Sequence, residues 1–466
     1  MSFKLLIDGK LVDGARTLDV INPATGKVFE TCACADEQQL EQAIAAAKRA
    51  FPAWKALSYA ERGALMHQLA DRVMARADEL GRLVTMEQGK PLEMGMQESY
   101  GSAYTLHQFA DQELPLEVLA EEDGFRFYEQ RYPLGVVAAI TPWNFPLILA
   151  VIKIAPALIT GNTLVVKPAA STPLSTLLLG EIMAEVLPAG VVNIIADADD
   201  LGSALTSHPD VVKLSFTGST ATGKRVMASA ASAIKRITLE LGGNDAAIVL
   251  DDIDVAEMAP QILQSAMVNA GQVCMASKRI YAPRSIYEPL CDELARLAEE
   301  IVVDDGIKQG TQMGPIQNRK QFERVLELIE DASREGTIMT GGKALDRDGY
   351  FIAPTVVKDI PESARLVKEE QFGPVVPVLA YDDLDDLIER VNDTEFGLAG
   401  TVWTANPQRG FEIAQRVDTG TVWINSHLGG NFAAPMGGAK QSGFGREGGI
   451  EGMKEFTQPK VIRVPV

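Results

Sequence analysis

The 466 residues of the chain are too many for one ordinary domain and predict two or three domains with a large buried core. The chain carries 43 Lys and Arg against 63 Asp and Glu, a formal net charge of −20, so binding of nucleic acid is not expected. Its apolar and charged fractions are ordinary, which excludes disordered and fibrous classes. An anionic ligand would need a local positive site.

The four cysteines, Cys32, Cys34, Cys274 and Cys291, show neither a disulfide framework nor a paired zinc-ligand spacing. We therefore expect reduced thiols, no metal site and a cytoplasmic location. Cys32 and Cys34 alternate with small residues on a predicted strand, and they are interpreted as small buried hydrophobic side chains.

The first residues lack the long apolar core of a signal peptide and predict a β-hairpin over residues 3–12. The stretch 134–166 is apolar with one charge, Lys153, and is long enough to raise the possibility of a membrane span. Three prolines interrupt it. We interpret it as a buried strand, loop, helix and strand, and we expect no membrane association.

Farther along, helices are predicted after Asp36 and after the capping box that Ser58 opens. Residues 125–132 are aromatic-rich and predicted to be extended, as an arm. Five strands separated by helices follow, near 136–141, 163–167, 191–195, 212–216 and 236–240. This alternation predicts an α/β fold with a doubly wound parallel sheet, whose ligand lies at the carboxyl ends of the strands.

A second α/β region begins near residue 245, with helices predicted near 255–270 and 285–302. A glycine-rich run, residues 436–449, precedes a last strand near 461–464. Because charged and aromatic residues are mixed into this run, we interpret it as a packed loop at a subunit or active-site boundary and not as a linker.

Three polar side chains are candidates for chemistry. Cys274 follows Gly271 and has small neighbours that leave room for backbone amides to approach a reacting oxygen, although a core cysteine would look similar. Glu240 ends a predicted strand 34 positions earlier, where a carboxylate is costly to bury without a task, and a structural ion pair is the alternative. Asn144 lies between two prolines and could donate to an oxyanion or be an ordinary turn residue.

Two segments could meet a cofactor. Residues 216–224 follow a strand and open a helix, where unpaired N–H groups and the helix dipole favour a phosphate. Their glycine spacing differs from G-x-G-x-x-G, so a plain helix start stays equally open. Lys167 ends another predicted strand at the edge where cofactors bind, or it is simply solvated.

Together these stretches resemble the aldehyde dehydrogenase superfamily along the whole chain. The stretches that carry the resemblance are residues 142–146, 216–219, 240–243, 271–274 and 370–374.

By this resemblance Cys274 is the nucleophile, Glu240 is the general base, and Asn144 forms the oxyanion hole with the backbone N–H of Cys274. Lys167 and Glu370 would hold the cofactor's riboses. The full cofactor-binding set that the resemblance implies is Thr141, Trp143, Lys167, Gly218, Ser219, Gly223, Glu370 and Phe372.

The resemblance also implies the domain organisation. Residues 1–114 and 134–244 would form a dinucleotide-binding domain, and residues 245–440 an α/β catalytic domain. Residues 115–133 and 450–466 would form a small β-strand oligomerisation arm that builds a homodimer or homotetramer.

The implied reaction oxidises an aldehyde to its carboxylic acid with NAD or NADP and water, through a thiohemiacetal and a thioester on Cys274. The presence of Glu240 favours hydrolysis over transfer of the acyl group to coenzyme A. Ala170 stands where relatives strict for NAD have a glutamate, so NADP use becomes possible.

Relatives that oxidise succinate semialdehyde usually carry an arginine where this chain has Ile152, beside Lys153, and a second such arginine would correspond to Arg279. The loss of one anionic anchor favours apolar aliphatic or aromatic aldehydes, with succinate semialdehyde as the alternative. Two other classes remain: a cysteine-dependent esterase or hydrolase, and a non-catalytic nucleotide-binding or structural protein. The four histidines, at 67, 107, 208 and 427, stand in no context that suggests a partner for the cysteine.

Overall fold

The computed structural model of the protein describes residues 3–428 and 434–466. Its strands are β1 Leu5–Ile7, β2 Lys10–Val12, β3 Arg16–Asn22, β4 Lys27–Cys34, β5 Glu117–Glu122, β6 Phe125–Pro133, β7 Val136–Ile140, β8 Thr163–Lys167, β9 Val192–Ile194, β10 Val211–Thr217, β11 Arg236–Glu240, β12 Asp245–Val249, β13 Ser277–Pro283, β14 Thr337–Thr340, β15 Thr355–Lys358, β16 Val375–Tyr381, β17 Phe396–Gly397, β18 Ala399–Trp403, β19 Thr421–Ile424, β20 Ala439–Lys440, β21 Gly443–Phe444 and β22 Thr457–Pro465.

Its α-helices are α1 Glu37–Ala56, α2 Tyr59–Ala75, α3 Ala77–Gln88, α4 Leu92–Ala110, α5 Pro146–Ile159, α6 Leu174–Ala184, α7 Gly202–Ser207, α8 Thr220–Ala231, α9 Val255–Met267, α10 Tyr287–Glu300, α11 Arg319–Glu335, α12 Arg365–Lys368, α13 Leu384–Asn392, α14 Pro407–Ala414 and α15 Gly449–Lys454. A short 3₁₀ turn, Val268–Gly271, follows α9.

The first sheet has eight strands in the order β2-β1-β9-β8-β7-β10-β11-β21. The five strands from β9 to β11 are parallel, and they are the five that the sequence predicts. β7 and β8 are buried along their whole length, which explains their continuous apolar runs. The doubly wound α/β prediction is confirmed.

The second sheet has the order β14-β15-β16-β13-β12-β18-β19 and is parallel except for β14. A third, antiparallel sheet joins β22 to β6 and β5. These three sheets lie in the three predicted parts of the chain, whose boundaries stay predictions. Residues 441–449 fall outside those boundaries, and they add β21 to the first sheet.

Several local predictions are confirmed. The hairpin forms from β1 and β2, and the capping box at Ser58 opens α2. Cys32 and Cys34 are buried on β4. In the ranges that the structure covers, no helix combines the length and apolar character that crossing a bilayer requires. The apolar stretch after residue 134 is β7, a loop, α5 and β8, as predicted.

Candidate active site

The order of the first sheet creates a crevice at the carboxyl ends of β7 and β10. From β7 the chain adds β8 and β9 on one side, and it then crosses to add β10 and β11 on the other. In such sheets, ligands bind where the strand order reverses. β7 leads into Thr141–Asn144 and β10 into Gly218 and Ser219, so both predicted motifs meet at this point.

A cavity of about 480 Å³ occupies this crevice, and we call it the Cys274 cavity. It is lined by residues 142–144, 217–219, 241–242, Cys274, Asn318, residues 320–321, Arg324, Glu370 and Phe372. The volume lies in the range of small-molecule and cofactor sites. The structure thus brings together around one cavity Cys274, Asn144, Trp143, Gly218, Ser219, Glu370 and Phe372.

A strained turn presents Cys274 to this cavity. Asn269 and Ala270 have φ of 51° and 55°, values that side-chain-bearing residues rarely adopt. Gly271 follows with φ of 69°, and a Cβ there would collide with the Gly373 carbonyl oxygen. Backbone strain of this kind persists where surrounding structure holds it, often at functional sites.

Asn144 joins the loop after β7 to the Cys274 turn. Its Nδ2 donates to the Gln272 carbonyl oxygen at 2.9 Å, and the Asn144 carbonyl oxygen accepts from Asn269 Nδ2 at 3.2 Å. The Gln272 side chain is held in turn by the backbone of Asn269 and Gln317. These contacts fix the Asn144 amide beside Cys274 and leave one of its two N–H groups for a ligand.

A buried cation, Lys278, contacts the backbone on both sides of the Cys274 thiol. Lys278 Nζ donates to the carbonyl oxygens of Val273 at 2.9 Å, Cys274 at 2.5 Å and Ala276 at 3.3 Å. Burial raises the pKa of the Cys274 thiol to about 12, while the Lys278 charge acts to lower it. The free thiol therefore keeps its proton at neutral pH.

Glu240 ends β11 in a nearly closed environment. Its Oε1 has no hydrogen-bond partner among the described residues, and burial raises the pKa of its carboxyl well above the usual value. The nearby Glu447 raises this pKa further, whereas Lys153 lowers it. Lys153 forms a buried ion pair with Glu447 and donates to Thr217 Oγ1 at 2.7 Å. Glu240 thus lies close to the buried ion pair of Lys153 and Glu447.

The glycine-rich run supplies part of this environment. β21 pairs with β11 so that Gly443 stands opposite Glu240, and Leu241 N donates to the Ser442 carbonyl oxygen at 2.9 Å. The sequence predicts that residues 436–449 lie at a subunit boundary or at an active-site boundary. Their pairing with β11 supports the active-site boundary.

Glu370 and Phe372 close another wall of the Cys274 cavity. Glu370 Oε1 accepts from Gly243 N at 3.0 Å, and Phe372 packs edge-on against Trp143 with ring centroids 5.3 Å apart. Gln321 Nε2 donates to the carbonyl oxygens of Gln371 and Phe372. This stabilises Phe372, which has φ of 50°.

Three of the predicted cofactor residues do not line the Cys274 cavity. Thr141 and Lys167 lie beside each other, since Thr141 N donates to the Lys167 carbonyl oxygen, and the buried Thr141 Oγ1 has no partner among the described residues. Gly223 packs on Leu241, where a Cβ would not fit. Lys167 Nζ pairs with Asp197 at 2.7 Å and Asp199 at 3.2 Å.

Sequence reasoning missed the contribution of α11, which carries Lys320, Gln321 and Arg324 into the cavity wall. Their pattern is that of an ordinary charged amphipathic helix, so no sequence signal pointed to a role in the cavity. Lys320 and the N-terminus of α8, at Ser219, bring positive charge to this wall, whereas Arg324 is paired with Glu369 and Glu327. Such a wall, with the unpaired Thr141 hydroxyl nearby, fits the pyrophosphate and riboses of a dinucleotide.

The two cations considered as substrate anchors are engaged elsewhere. Lys153 is fully buried against Glu447. Arg279 donates to the carbonyl oxygens of Asn244 at 2.9 Å and Val391 at 3.2 Å. Arg279 does not line the Cys274 cavity, so the suggestion that it anchors a substrate carboxylate is wrong.

A second cavity, of about 450 Å³, lies beside the Cys274 turn, and we call it the His427 cavity. It is lined by Pro260, Gln261, Gln264, Ser265, Val268, Trp403, Asn425, Ser426, His427 and Leu428. His427 Nε2 donates to the Met275 carbonyl oxygen at 2.8 Å in the tautomer that this contact requires. Burial lowers the pKa of His427 to about 4, so the imidazole is neutral at pH 7.

Comparison with known proteins agrees with this geometry. Residues 11–462 match the profile of the aldehyde dehydrogenase family. The chain is 39% identical to a mitochondrial aldehyde dehydrogenase of Leishmania tarentolae, over 98% of this chain and 94% of the relative. It is 38% identical to the NADP-dependent succinate-semialdehyde dehydrogenase GabD of Escherichia coli, over 98% of this chain and 96% of that protein.

The solved structure of the NAD⁺ complex of Bacillus cereus aldehyde dehydrogenase is similar to this fold with a TM-score of 0.97, at 37% identity, covering 100% of this chain and 97% of that one. The match spans both large sheets and the Cys274 cavity between them. The chain belongs to the aldehyde dehydrogenase family and is an enzyme that oxidises aldehydes with NAD or NADP.

Proposed function

We propose that the enzyme oxidises uncharged, apolar aldehydes to carboxylic acids, with Cys274 as nucleophile, Glu240 as general base and Asn144 as oxyanion donor. The observation that carries the proposal is the position of Cys274, which lines the Cys274 cavity and packs against an apolar cluster. That cluster contains Phe145, Val268, Trp423 and Met436.

The first step is transfer of the Cys274 thiol proton to a water molecule in the cavity, followed by addition of the thiolate sulfur to the aldehyde carbon as the carbon–oxygen double bond becomes a single bond. The aldehyde oxygen becomes an oxyanion that accepts from the free N–H of the Asn144 amide and from the Cys274 backbone N–H, for which the described residues offer no acceptor. Because Gln272 already orients the amide, little reorganisation is needed. The bound nicotinamide supplies the hydride acceptor for this adduct.

The second step is hydrolysis of the thioester that Cys274 then carries. Glu240 takes a proton from the attacking water, which its buried and unpaired Oε1 is suited to accept. A raised carboxyl pKa brings the base closer to the working pH, where base catalysis is most effective. Of the two charges of the nearby ion pair, Lys153 favours the ionised form of Glu240, but the larger opposing effect of Glu447 helps to keep the pKa of Glu240 raised.

The substrate preference rests on the His427 cavity, which reaches the Cys274 turn at Val268 and which we take as the entrance for the aldehyde. None of the described residues lining the His427 cavity is charged at neutral pH, since His427 has lost its proton. Lys153 and Arg279 are held by internal partners. An aldehyde with a second, anionic end would find no counter-charge there, so succinate semialdehyde is the less favoured alternative.

A single experiment tests the roles of the two reactive side chains. Purified enzyme is assayed with a panel of aliphatic, aromatic and anionic aldehydes, once with NAD and once with NADP. The formation of reduced cofactor is followed by absorbance. Cys274→Ala should abolish reduction, whereas Glu240→Gln should give one burst of reduced cofactor per active site and then turn over ~10²- to 10⁴-fold more slowly.

Four outcomes would contradict the proposal. Full steady-state turnover by Glu240→Gln would remove its role as base. Turnover of succinate semialdehyde alone would reject the apolar substrate class. Ester cleavage without cofactor reduction would support the cysteine hydrolase, and cofactor binding without turnover would support a non-catalytic protein.

We also propose a homodimer or homotetramer built through the sheet of β5, β6 and β22. Val118, Leu119 and Val461 expose more than half of their surface there, at 57%, 51% and 59%. Exposed apolar strands at a sheet edge favour association.

A reducing cytoplasmic location is proposed because all four cysteines are free thiols, including the nucleophile.

A further inference from the structure

A buried ion pair outside the Cys274 cavity joins helix α4 to the segment that precedes it. Lys90 Nζ lies 2.5 Å from Glu98 Oε2, and only 0% and 1% of the two side chains are exposed. Neither residue lines the Cys274 cavity. Two charges are costly to remove from water, and well-packed apolar side chains often stabilise a protein as much as a buried pair does. Stability alone therefore does not explain this pair.

Glu98 caps helix α5, which begins directly after the loop that carries Asn144. Its Oε1 accepts from Leu147 N at 2.9 Å and from Ile148 N at 3.2 Å. These N–H groups belong to the first turn of the helix, where they have no partner within the helix. Phe145, at the N-cap position, makes no side-chain capping hydrogen bond. Glu98 thus replaces a local cap and fixes the point at which the loop enters α5.

Lys90 holds the side chain that follows Asn144. Its Nζ lies 3.6 Å from the centroid of the Phe145 ring, a distance within the range of cation–π contacts. Phe145 and Cys274 pack against the same apolar cluster. The one ammonium therefore contacts both the carboxylate that caps α5 and the ring beside Asn144. As a result, the pair restrains the chain on the C-terminal side of the amide through its backbone and through a side chain.

The backbone of Lys90 is fixed against the loop between α10 and α11, which also supports the Cys274 turn. A Cβ on Gly306 would stand 2.2 Å from the Lys90 carbonyl oxygen, so this loop and the Lys90 segment are in direct contact. Farther along the same loop, the Pro315 carbonyl oxygen accepts from Gln272 Nε2 at 3.3 Å. Gln272 lies two positions before Cys274. The Lys90 segment and the Cys274 turn therefore pack on one support.

We propose that Lys90 and Glu98 are positioning residues that hold the Asn144 amide where the aldehyde oxygen becomes an oxyanion, an inference that rests on the role proposed above for Asn144. The two donors to this oxyanion come from different elements, the Asn144 side chain from the loop after β7 and the Cys274 N–H from the turn after α9. A displacement of ~1 Å between such groups can cost ~100-fold in rate. The ion pair contacts the first element and packs on the support of the second, so it keeps the two donors in register.

The test replaces both charges, in Lys90→Met/Glu98→Gln, so that no buried charge is left alone and the glutamine carbonyl oxygen can still accept from α5. The rate of reduced-cofactor formation in the first turnover is measured with saturating NAD and the fastest aldehyde of the panel above. We expect this rate to fall ~10- to 100-fold. The Kd of NAD and the rate of Cys274 alkylation by iodoacetamide should be unchanged, since neither involves the oxyanion. Circular dichroism confirms that the variant is folded at the assay temperature.

A double-mutant cycle with Asn144→Ala separates positioning from a general structural effect. In the Asn144→Ala background, replacement of the pair should change the first-turnover rate by less than ~3-fold, because no amide remains to be displaced. Arg390→Met/Glu362→Gln is the matched control. This ion pair, at 2.6 Å, also has its cation over an aromatic ring, that of Tyr281, and it lines neither cavity. Its replacement should leave the rate unchanged in both backgrounds.

Two results would overturn the positioning role and leave the role of Asn144 intact, provided that Asn144→Ala is itself slow. One is an equal loss of rate in the wild-type and Asn144→Ala backgrounds, and the other is no loss in the wild-type background. A first-turnover rate of Asn144→Ala equal to that of the wild type would instead remove the oxyanion role of Asn144, and the positioning role with it.

Discussion

At the scale of single residues, Lys278 shows how a buried cation can lower the pKa of a nucleophile through space. Its ammonium is held by three carbonyl oxygens of the Cys274 turn and lies 3.8 Å from Glu370 Oε1. A cation in this position favours the thiolate, against the opposing effect of burial. The same contacts brace the turn itself.

Lys278→Met should raise the pKa of the Cys274 thiol and slow its alkylation by iodoacetamide at pH 7.5 by about tenfold or more, since one pKa unit changes the thiolate fraction tenfold. Lys278→Gln keeps a donor for the carbonyl oxygens and loses the charge. The measurement is the pH dependence of alkylation of the Cys274 peptide by mass spectrometry. If only the methionine variant is slow, the lysine acts by bracing the turn and not by its charge.

Asp199 offers a second prediction at this scale. Its carboxylate lies 3.2 Å from Lys167 Nζ and is largely exposed, so it would repel a 2′-phosphate that approached Lys167. Asp199→Asn should raise kcat/KM for NADP by ~3- to 10-fold and leave that for NAD nearly unchanged. The neighbouring Asp200, which pairs with Arg16 at 2.8 Å, provides the control Asp200→Asn. Equal gains in both variants would contradict a specific effect.

At the scale of elements, the strands and helices of the first sheet were predictable because apolar runs, caps and turns are local signals. The predicted strand near 163–167 is β8, for example, with the same bounds. The wall built by α11 was not predictable, since its polar residues reach the cavity through packing. The ion pair between Lys167 and Asp197 and the Lys278 contacts were not predictable either, because they also form through packing.

The arm sheet carries the prediction at this scale. Val118→Glu should weaken self-association, because it places a charge in the exposed apolar segment 118–120 of β5. Ile234→Glu is the matched control, as Ile234 is 92% exposed and lies outside the arm. Sedimentation equilibrium gives the mass of each variant. A Val118→Glu protein of unchanged mass would place the subunit contact elsewhere.

At the scale of the whole molecule, buried carboxyl groups set the pH dependence of stability. Burial raises the pKa of Glu87 and of Asp245 to about 7, from ordinary values of 4.5 and 3.8. The folded protein therefore binds more protons than the unfolded chain between these values, and stability falls as pH rises through them. His427, with its pKa lowered to about 4, acts in the opposite direction below pH 6.5.

We expect the melting temperature to fall between pH 5 and 7.5, because the raised carboxyls outnumber the single lowered imidazole and negative self-repulsion grows with pH. Glu87→Gln should flatten this slope, since the amide cannot ionise and still accepts from the N-terminus of α6. Scanning calorimetry across this range measures both proteins. A melting temperature that rises with pH in the wild type would contradict the assignment.

The pairing of β21 with β11 makes the site depend on residues near the end of the chain. Gly443 stands opposite Glu240, and Glu447 neutralises Lys153 inside the protein. A nascent polypeptide therefore cannot complete the site until residues 443–447 have been made, although β7 to β11 are made long before. A product that stopped before Glu447 would keep the nucleophile but leave Lys153 without its counter-charge, so it would be less stable and spend more time unfolded.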